Sequence, residues 1–194
     1  MQKLPRSFYT QRTLIVAKEL LGKIFIHKIG NNYLSGMIVE TEAYLFNDPA
    51  SHSFRGVTER NKPMFNSGGF LYVYFTYGMH YCANVVTYKE EIGEAVLIRA
   101  VEPLEGIEIM RANRKFKDGH HPRHLTNGPA KFTQAFSLTK THSGIDLCGK
   151  EVFIAEGKSI SKSSIVTTTR IGISSGMDKK WRFYVKGNNW ISKK

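Results

Sequence analysis

Two glutamates stand two residues apart in Val39-Glu40-Thr41-Glu42-Ala43-Tyr44. In an extended strand, residues i, i+2 and i+4 share a face, so Glu40, Glu42 and Tyr44 point the same way. A carboxylate pair beside an aromatic is an unusual use of a strand face. One carboxylate suits an ion pair with a basic residue. The other suits a general base for activating water, the more so if it is partly dehydrated. The spacing does not say which is which. His52 follows in a long stretch, Leu45 to Gly69, that holds Asn47-Asp48-Pro49 and Asn66-Ser67-Gly68-Gly69 and has no periodicity. Loops of that length in a compact domain often line a functional site. This one can fold His52 back towards Tyr44, although an isolated histidine equally suits a surface hydrogen bond. Arg55, Arg60 and Lys62 make the loop basic. Arg99 closes the apolar run Ala95-Val96-Leu97-Ile98, where a guanidinium must be paired or solvated.

The stretch Phe70 to Asn84 carries Tyr72, Tyr74, Tyr77 and Tyr81 among strong strand formers. A second strand-like run spans Tyr81 to Tyr88. Between them Gly78 can supply the positive φ of a tight turn, which predicts a β-hairpin with Tyr77 and Met79 at or near its tip. A large aromatic at such a tip is hard for its own strands to cover. It is either part of a tyrosine-rich core or a wedge that enters another molecule. Asn127-Gly128-Pro129-Ala130-Lys131 reads as a helix start, and its free N–H groups with Lys131 offer a phosphate seat or a simple capped end. His120, His121 and His124 are irregularly spaced without a neighbouring acid, which argues against a metal site.

These side chains need elements to position them. Thr10 to Leu21 has helical spacing, with Thr10 as the expected cap. Strands are expected at Ile24–Ile29, Tyr33–Tyr44, Glu94–Pro103, Val152–Ala155, Ile165–Ile173 and Arg182–Lys186, and a helix over Leu104–Lys115. No internal repeat or linker interrupts residues 1–194, which read as a single domain with a sizeable core.

The chain is 41% hydrophobic and 23% charged, an ordinary globular balance, but its net charge is +12. That excess points to a polyanion such as nucleic acid, with an anionic membrane as the other target. From Gly157 to Lys194 there are nine lysines or arginines and one acid, Asp178. Cys82 and Cys148 form no CxxC pair, which suggests reduced thiols, an intracellular setting and no structural zinc. No apolar run reaches the roughly 18 residues of a membrane span, and the N-terminal residues lack a signal-peptide core. A cytoplasmic location is expected.

Taken in order, these stretches resemble the alkyladenine (3-methyladenine) DNA glycosylase family. The resemblance runs from about Ser7 to Ser192. It is carried by Val39–Tyr44, Ala50-Ser51-His52-Ser53, Leu71–Tyr74, Tyr77-Gly78-Met79, Arg99–Gly106, Asn127–Lys131 and Arg182–Val185. It departs at Asn188-Asn189, where Ser-Pro is usual, and at Glu59, where proline is usual. The compact length resembles a bacterial member. The resemblance implies an α+β fold: a curved antiparallel β-sheet with peripheral helices and a protruding hairpin, similar to the C-terminal domain of methionyl-tRNA formyltransferase. It implies a monofunctional DNA glycosylase acting on 3-methyladenine, 7-methylguanine, hypoxanthine and ethenoadenine in base excision repair. In that reading Glu42 is the catalytic acid, assisted by Arg99. Tyr44, His52 and Tyr74 sandwich the flipped purine, and Asn84 disfavours normal guanine. Tyr77 and Met79 intercalate, and Lys131 meets a phosphate. No metal or organic cofactor is implied. The expected partner is double-stranded DNA containing damaged purines, bound by a nucleoid-associated monomer without an obligate protein partner. The alternative is a non-catalytic nucleic-acid-binding module like the formyltransferase domain.

Overall fold

The computed structural model of the chain describes residues 1–76 and 78–193. In order, its elements are α1 (Arg6–Tyr9), α2 (Thr13–Glu19), β1 (Ile24–Ile29), β2 (Asn32–Tyr44), β3 (Leu71–Thr76), β4 (His80–Thr87), β5 (Glu94–Glu105), α3 (Ile107–Asn113), α4 (Pro129–Ala135), β6 (Val152–Ala155), β7 (Ile165–Thr168) and β8 (Arg182–Val185). The strands form one curved, mixed-length antiparallel sheet in the order β3-β4-β5-β2-β1-β6. β8 joins β2, and β7 joins β8.

The sheet forks at β2. One edge of β2 pairs with β5 as far as Tyr44, while the other pairs with β1 up to Met37 and with β8 from Glu40 to Glu42. At the fork the ladder is irregular. Ile38 pairs with Val101 and Glu40 with Ala100, leaving Val39 extra on β2; Thr41 then pairs with Ile98, leaving Arg99 extra on β5. The second insertion restores the register that the first shifted. Each bulge also turns its strand over. Before the bulge, Leu34 and Ile38 face the main core; after it, Ala43 does. Strict alternation from Ile38 would have driven Glu40 and Glu42 into that core. The bulge sends them to the opposite face.

The core face packs under α2 and α4. Val16 and Ala17 of α2 with the following Leu20, and Phe132 and Ala135 of α4 with the following Phe136, share one core cluster with Ile38, Ala43, Ile98 and Val101. The Phe25, Phe132 and Phe136 rings pack mutually with centroids 4.9–5.6 Å apart. The Thr41 hydroxyl donates to the Ala17 carbonyl at 2.7 Å and fastens α2 to the sheet. Some expected boundaries move. Thr10 closes α1 instead of capping α2, which begins at Thr13. Thr13 is buried, and its hydroxyl donates to Glu94 and shares a 2.9 Å hydrogen bond with Thr87. β5 continues through Glu105, and α3 starts only after Gly106, whose φ of 76° breaks the strand. β7 ends at Thr168, short of the expected Ile173, because Arg170 turns inward to a buried acid. Among the described residues no helix is long and apolar enough to cross a membrane.

Candidate active site

Period-two alternation on neighbouring strands builds one face. Tyr72 and Tyr74 on β3, Cys82 and Asn84 on β4, Leu97 and Arg99 on β5 and Tyr44 on β2 line a cavity of about 470 Å³. Their strand neighbours Leu71, Val73, Ala83, Val85, Val96 and Ile98 face the core. Two loops complete the walls, one through Pro49, Ala50 and His52 and the other through Ile171–Ser175. The volume lies within the range of about 300–1,000 Å³ usual for small-ligand sites.

Glu42 and Glu40 are both fully buried, yet their surroundings differ. Glu40 accepts from Arg182 Nε at 2.7 Å, from Arg99 Nε at 3.1 Å, and from the Ser192 amide and hydroxyl at 2.6 and 2.8 Å. Its carboxylate is consumed by structure. Glu42 Oε2 accepts from the Tyr44 hydroxyl at 2.9 Å and lies 3.1 Å from an Arg99 terminal nitrogen. Glu42 Oε1 accepts the Ile171 amide at 2.8 Å. Tyr44, Arg99 and Ile171 all line the cavity, whereas Glu42 stands directly behind them. Each carboxylate oxygen has two lone pairs, so among the described residues Oε1 retains one. Burial alone would lower the pKa of Arg99, but Glu42 and Glu40 outweigh it and hold it above the ordinary value. Burial, and then the Glu42 charge, push Tyr44 up, so its hydroxyl stays protonated as a donor.

The aromatic wall is ordered by His52. Its Nδ1 shares a 3.0 Å hydrogen bond with the Tyr72 hydroxyl, and its ring stands edge-on to Tyr74 at 4.5 Å. Tyr72 and Tyr74 stack at 5.4 Å. Although His52 is exposed as a residue, desolvation of its ring by these neighbours, and secondly the Arg60 charge, push its pKa down to about 4. Burial raises Tyr72 to about 12. Arg60 lies over the Tyr74 ring at 5.4 Å and donates to the Phe75 carbonyl at 2.9 Å. The buried Asn61 amide holds the His52 and Gly56 carbonyls at 2.7 and 2.9 Å, which fixes the loop that brings His52 back. Asn84 Nδ2 donates to the Tyr72 carbonyl at 3.2 Å, so its side chain is braced across the hairpin.

A buried acid, two tyrosines and a histidine thus meet around one cavity. A family described as methylpurine-DNA glycosylase matches residues 7–189. The chain belongs to the methylpurine-DNA glycosylase family. A relative from Carboxydothermus hydrogenoformans is 50% identical over 192 residues, covering 98% of this chain and 99% of its own length. One from Prosthecochloris aestuarii is 48% identical over 195 residues, covering 100% and 92%. One from Francisella tularensis subsp. tularensis is 49% identical over 189 residues, covering 94% and 95%. All three are provisionally named 3-methyladenine DNA glycosylases. The chain is thus similar over its whole length to enzymes of DNA repair, hydrolases whose substrate is DNA.

Not every expected residue of this methylpurine-DNA glycosylase chain meets the cavity. Met79 lies in the β3–β4 turn and is 68% exposed. Gly78 supplies the positive φ there, at 66°. Tyr77 lies outside the described residues. Lys131 is two residues after Pro129, which lines the cavity, and donates to Asn127 Oδ1 at 2.7 Å. Burial, then the charges of Arg114 and Arg123, lower the pKa of Lys131.

Sequence reading missed a clamp. Asp48 and Arg170 are both fully buried and ion-paired. Arg170 also donates to the Ala43 carbonyl at 3.0 Å and the Gly176 carbonyl at 3.2 Å. Its guanidinium lies over Tyr44 at 4.7 Å and Trp181 at 5.2 Å. The clamp places the next residue, Ile171, where its amide meets Glu42. An acid in Asn47-Asp48-Pro49 carries no periodic signal, so no pattern marks it as buried.

One further cluster, His27, His142 and Glu151, has ligand atoms within 4.8 Å of one another. His27 Nδ1 faces the Phe136 carbonyl at 2.7 Å, leaving Nε2 as a potential ligand. His142 Nδ1, however, accepts the Thr139 amide at 3.0 Å, so its neutral ring carries the proton on Nε2. That tautomer has no lone pair to offer a metal there.

Proposed function

We propose that the enzyme hydrolyses the N-glycosidic bond of alkylated and deaminated purines in DNA, 3-methyladenine, 7-methylguanine, hypoxanthine and ethenoadenine among them. A base inside a duplex is out of reach, so the nucleotide rotates out into the cavity at a cost of a few kcal/mol. Tyr44, His52 and Tyr74 then stack around the purine, at about 1–3 kcal/mol per base. Asn84 disfavours the exocyclic amino group of guanine. Tyr77 and Met79 enter the gap left in the duplex, and Lys131 with Arg114 and Arg123 meets a phosphate. In this proposal the chain is one domain that works as a monomer, and the likeness to the formyltransferase domain extends to fold alone.

Glu42 acts as the base. Its free Oε1 lone pair takes a proton from a water aimed at C1′. The C1′–N bond breaks with its electron pair going to the purine, and the new C1′–O bond comes from that water. Arg99 holds Glu42 and helps position the water. No lysine is used as nucleophile, so the strand remains intact. The observation that carries this reading is the position of Glu42: buried, paired with Arg99, and hydrogen-bonded to two residues that line an aromatic cavity.

The test uses duplexes with one lesion each, scored for free base by chromatography. Wild-type protein releases the base without cutting the strand. Glu42→Gln retains binding and loses a factor of about 10² or more in single-turnover rate. Wild-type turnover by Glu42→Gln rules out the assignment, and strand cleavage rules out the monofunctional mechanism.

A further inference from the structure

A second hollow, about 920 Å³, lies between α2 and the segment that follows β6. Its floor is apolar: Phe8, Leu14, Leu21, Ile160 and Ile165. Ile15, on its α2 wall, is 42% exposed. It shares no lining residue with the cavity of the glycosylase site. It also lies behind the sheet. α2 is fastened to Thr41, whose side chain points away from Glu40 and Glu42.

The rim is basic. Lys18, Lys23, Lys158 and Lys162 border the groove against Glu19 and Glu156. Glu156 is engaged by Lys23 at 2.5 Å, and Glu19 accepts from the Gln11 amide at 3.2 Å. Lys18 rests over the Phe183 ring at 5.2 Å. Among the described residues Lys18, Lys158 and Lys162 form no ion pair, and all three are exposed. The C-terminal excess of cations is therefore not all spent near the cavity. Arg170 and Arg182 are neutralised inside the protein, while Lys158 and Lys162 stand at this second site.

We infer that this groove docks a short acidic peptide segment of another protein, one that carries apolar side chains between its carboxylates. Nucleic acid fits poorly, because an apolar floor offers nothing to phosphate. The apolar side chains would fill the floor and leave water. The carboxylates would meet Lys18, Lys158 and Lys162. Opposite-charge rims of this kind set specificity and association rate more than affinity. Because the groove is behind the sheet, the enzyme holds such a partner while its front face is on DNA.

The probe is a fluorescein-labelled nonapeptide of aspartates interspersed with leucine and phenylalanine, read by fluorescence anisotropy at low salt. Saturable binding with Kd below about 100 μM is expected, unchanged when the enzyme is first saturated with an abasic-site duplex. Lys158→Glu with Lys162→Glu, and separately Ile15→Ser, should each weaken it tenfold or more. Base release from free lesion duplexes should stay at the wild-type rate in both. Amide chemical shifts of the wild-type protein, which need no variant, should move at Ile15, Ile160 and Lys162. No saturation by about 1 mM overturns the inference. So do shift changes confined to the cavity residues, or equal binding of a control peptide with serine for its apolar residues. A concentration-dependent dimer abolished by Ile15→Ser assigns the groove to a second copy and overturns it as well.

Discussion

Asp48→Asn tests whether the clamp behind the cavity governs the rate. The substitution keeps the side-chain shape and removes one charge of a pair in which both side chains are wholly buried. The carboxylate faces two Arg170 nitrogens; the one to Oδ1 lies at 3.0 Å, and the Ala50 amide donates to the same oxygen at 3.2 Å. An amide can accept through one oxygen only, so one guanidinium N–H then faces an NH₂ group. Removing a partner from a buried ion pair costs about 3–5 kcal/mol. Asn, which keeps one acceptor, should sit at the lower end. For a chain of this size that is a fall in melting midpoint of about 6–12 °C. Arg170 sits under Tyr44 and next to Ile171, so the Ile171 amide should drift from Glu42. A hydrogen bond to a charged group contributes about 1.5–3 kcal/mol, equivalent to a loss of roughly 10-fold to 10²-fold in rate. The assay is single-turnover base release well below the melting midpoint, beside a thermal melt. The paired variant Asp48→Leu with Arg170→Met separates the two effects. Apolar replacement of a buried pair often restores stability, whereas the lost anchoring of Ile171 keeps the rate low. An unchanged rate in Asp48→Asn, or full recovery of rate in the paired variant, would refute the reasoning.

Glu40→Gln should lose about 3 kcal/mol or more of stability in denaturant unfolding, because Arg99 and Arg182 both lean on that carboxylate; per folded molecule its rate should fall far less than that of Glu42→Gln, and the reverse order would exchange the two roles. His52 should titrate near pH 4 by NMR. Between that value and the ordinary 6.5 the unfolded chain binds the proton and the folded chain does not, so the contribution of His52 to stability is full above about pH 6.5 and is lost as pH falls towards 4. Arg60→Ala should move the midpoint part of the way up, and a wild-type midpoint at 6.5 would contradict the packing described. DNA affinity should fall steeply with salt, and Lys131→Ala should flatten the slope of log K against log salt by about 0.9; an unaltered slope would remove Lys131 from the phosphate contacts.

What the sequence makes legible follows from range. Alternation is local, so Glu40, Glu42 and Tyr44 on one face, and Tyr72 with Tyr74 on another strand, can be read without a structure. The division of labour between the glutamates cannot. The partners that consume Glu40 are Arg182 and Ser192, 142 and 152 residues further on. Which face is the core is likewise hidden, because Leu34 and Ile38 share parity with the glutamates, and only the bulge at Val39 separates them. The run Ile165–Ile173 reads as one strand from local sequence. The buried pairing of Arg170 with Asp48, 122 residues away, ends it sooner.

The fork in β2 also sets a timetable for synthesis. Its first half pairs with β1, a neighbour in sequence, and can zip up as a hairpin as soon as both have emerged. Its second half holds Glu40, whose partner Ser192 is made 152 residues later. At about 5–20 residues per second that is a wait of roughly 8–30 s. Arg99 on β5 arrives earlier but leaves the carboxylate short of Arg182 and Ser192, so burying it during the wait remains costly. A nascent chain can therefore pair β2 with β5 while the β2 edge from Glu40 to Glu42 still awaits β8. Glu40 is fully partnered only after translation has passed Ser192, and a prematurely released fragment is left with an open strand edge and an incompletely paired acid.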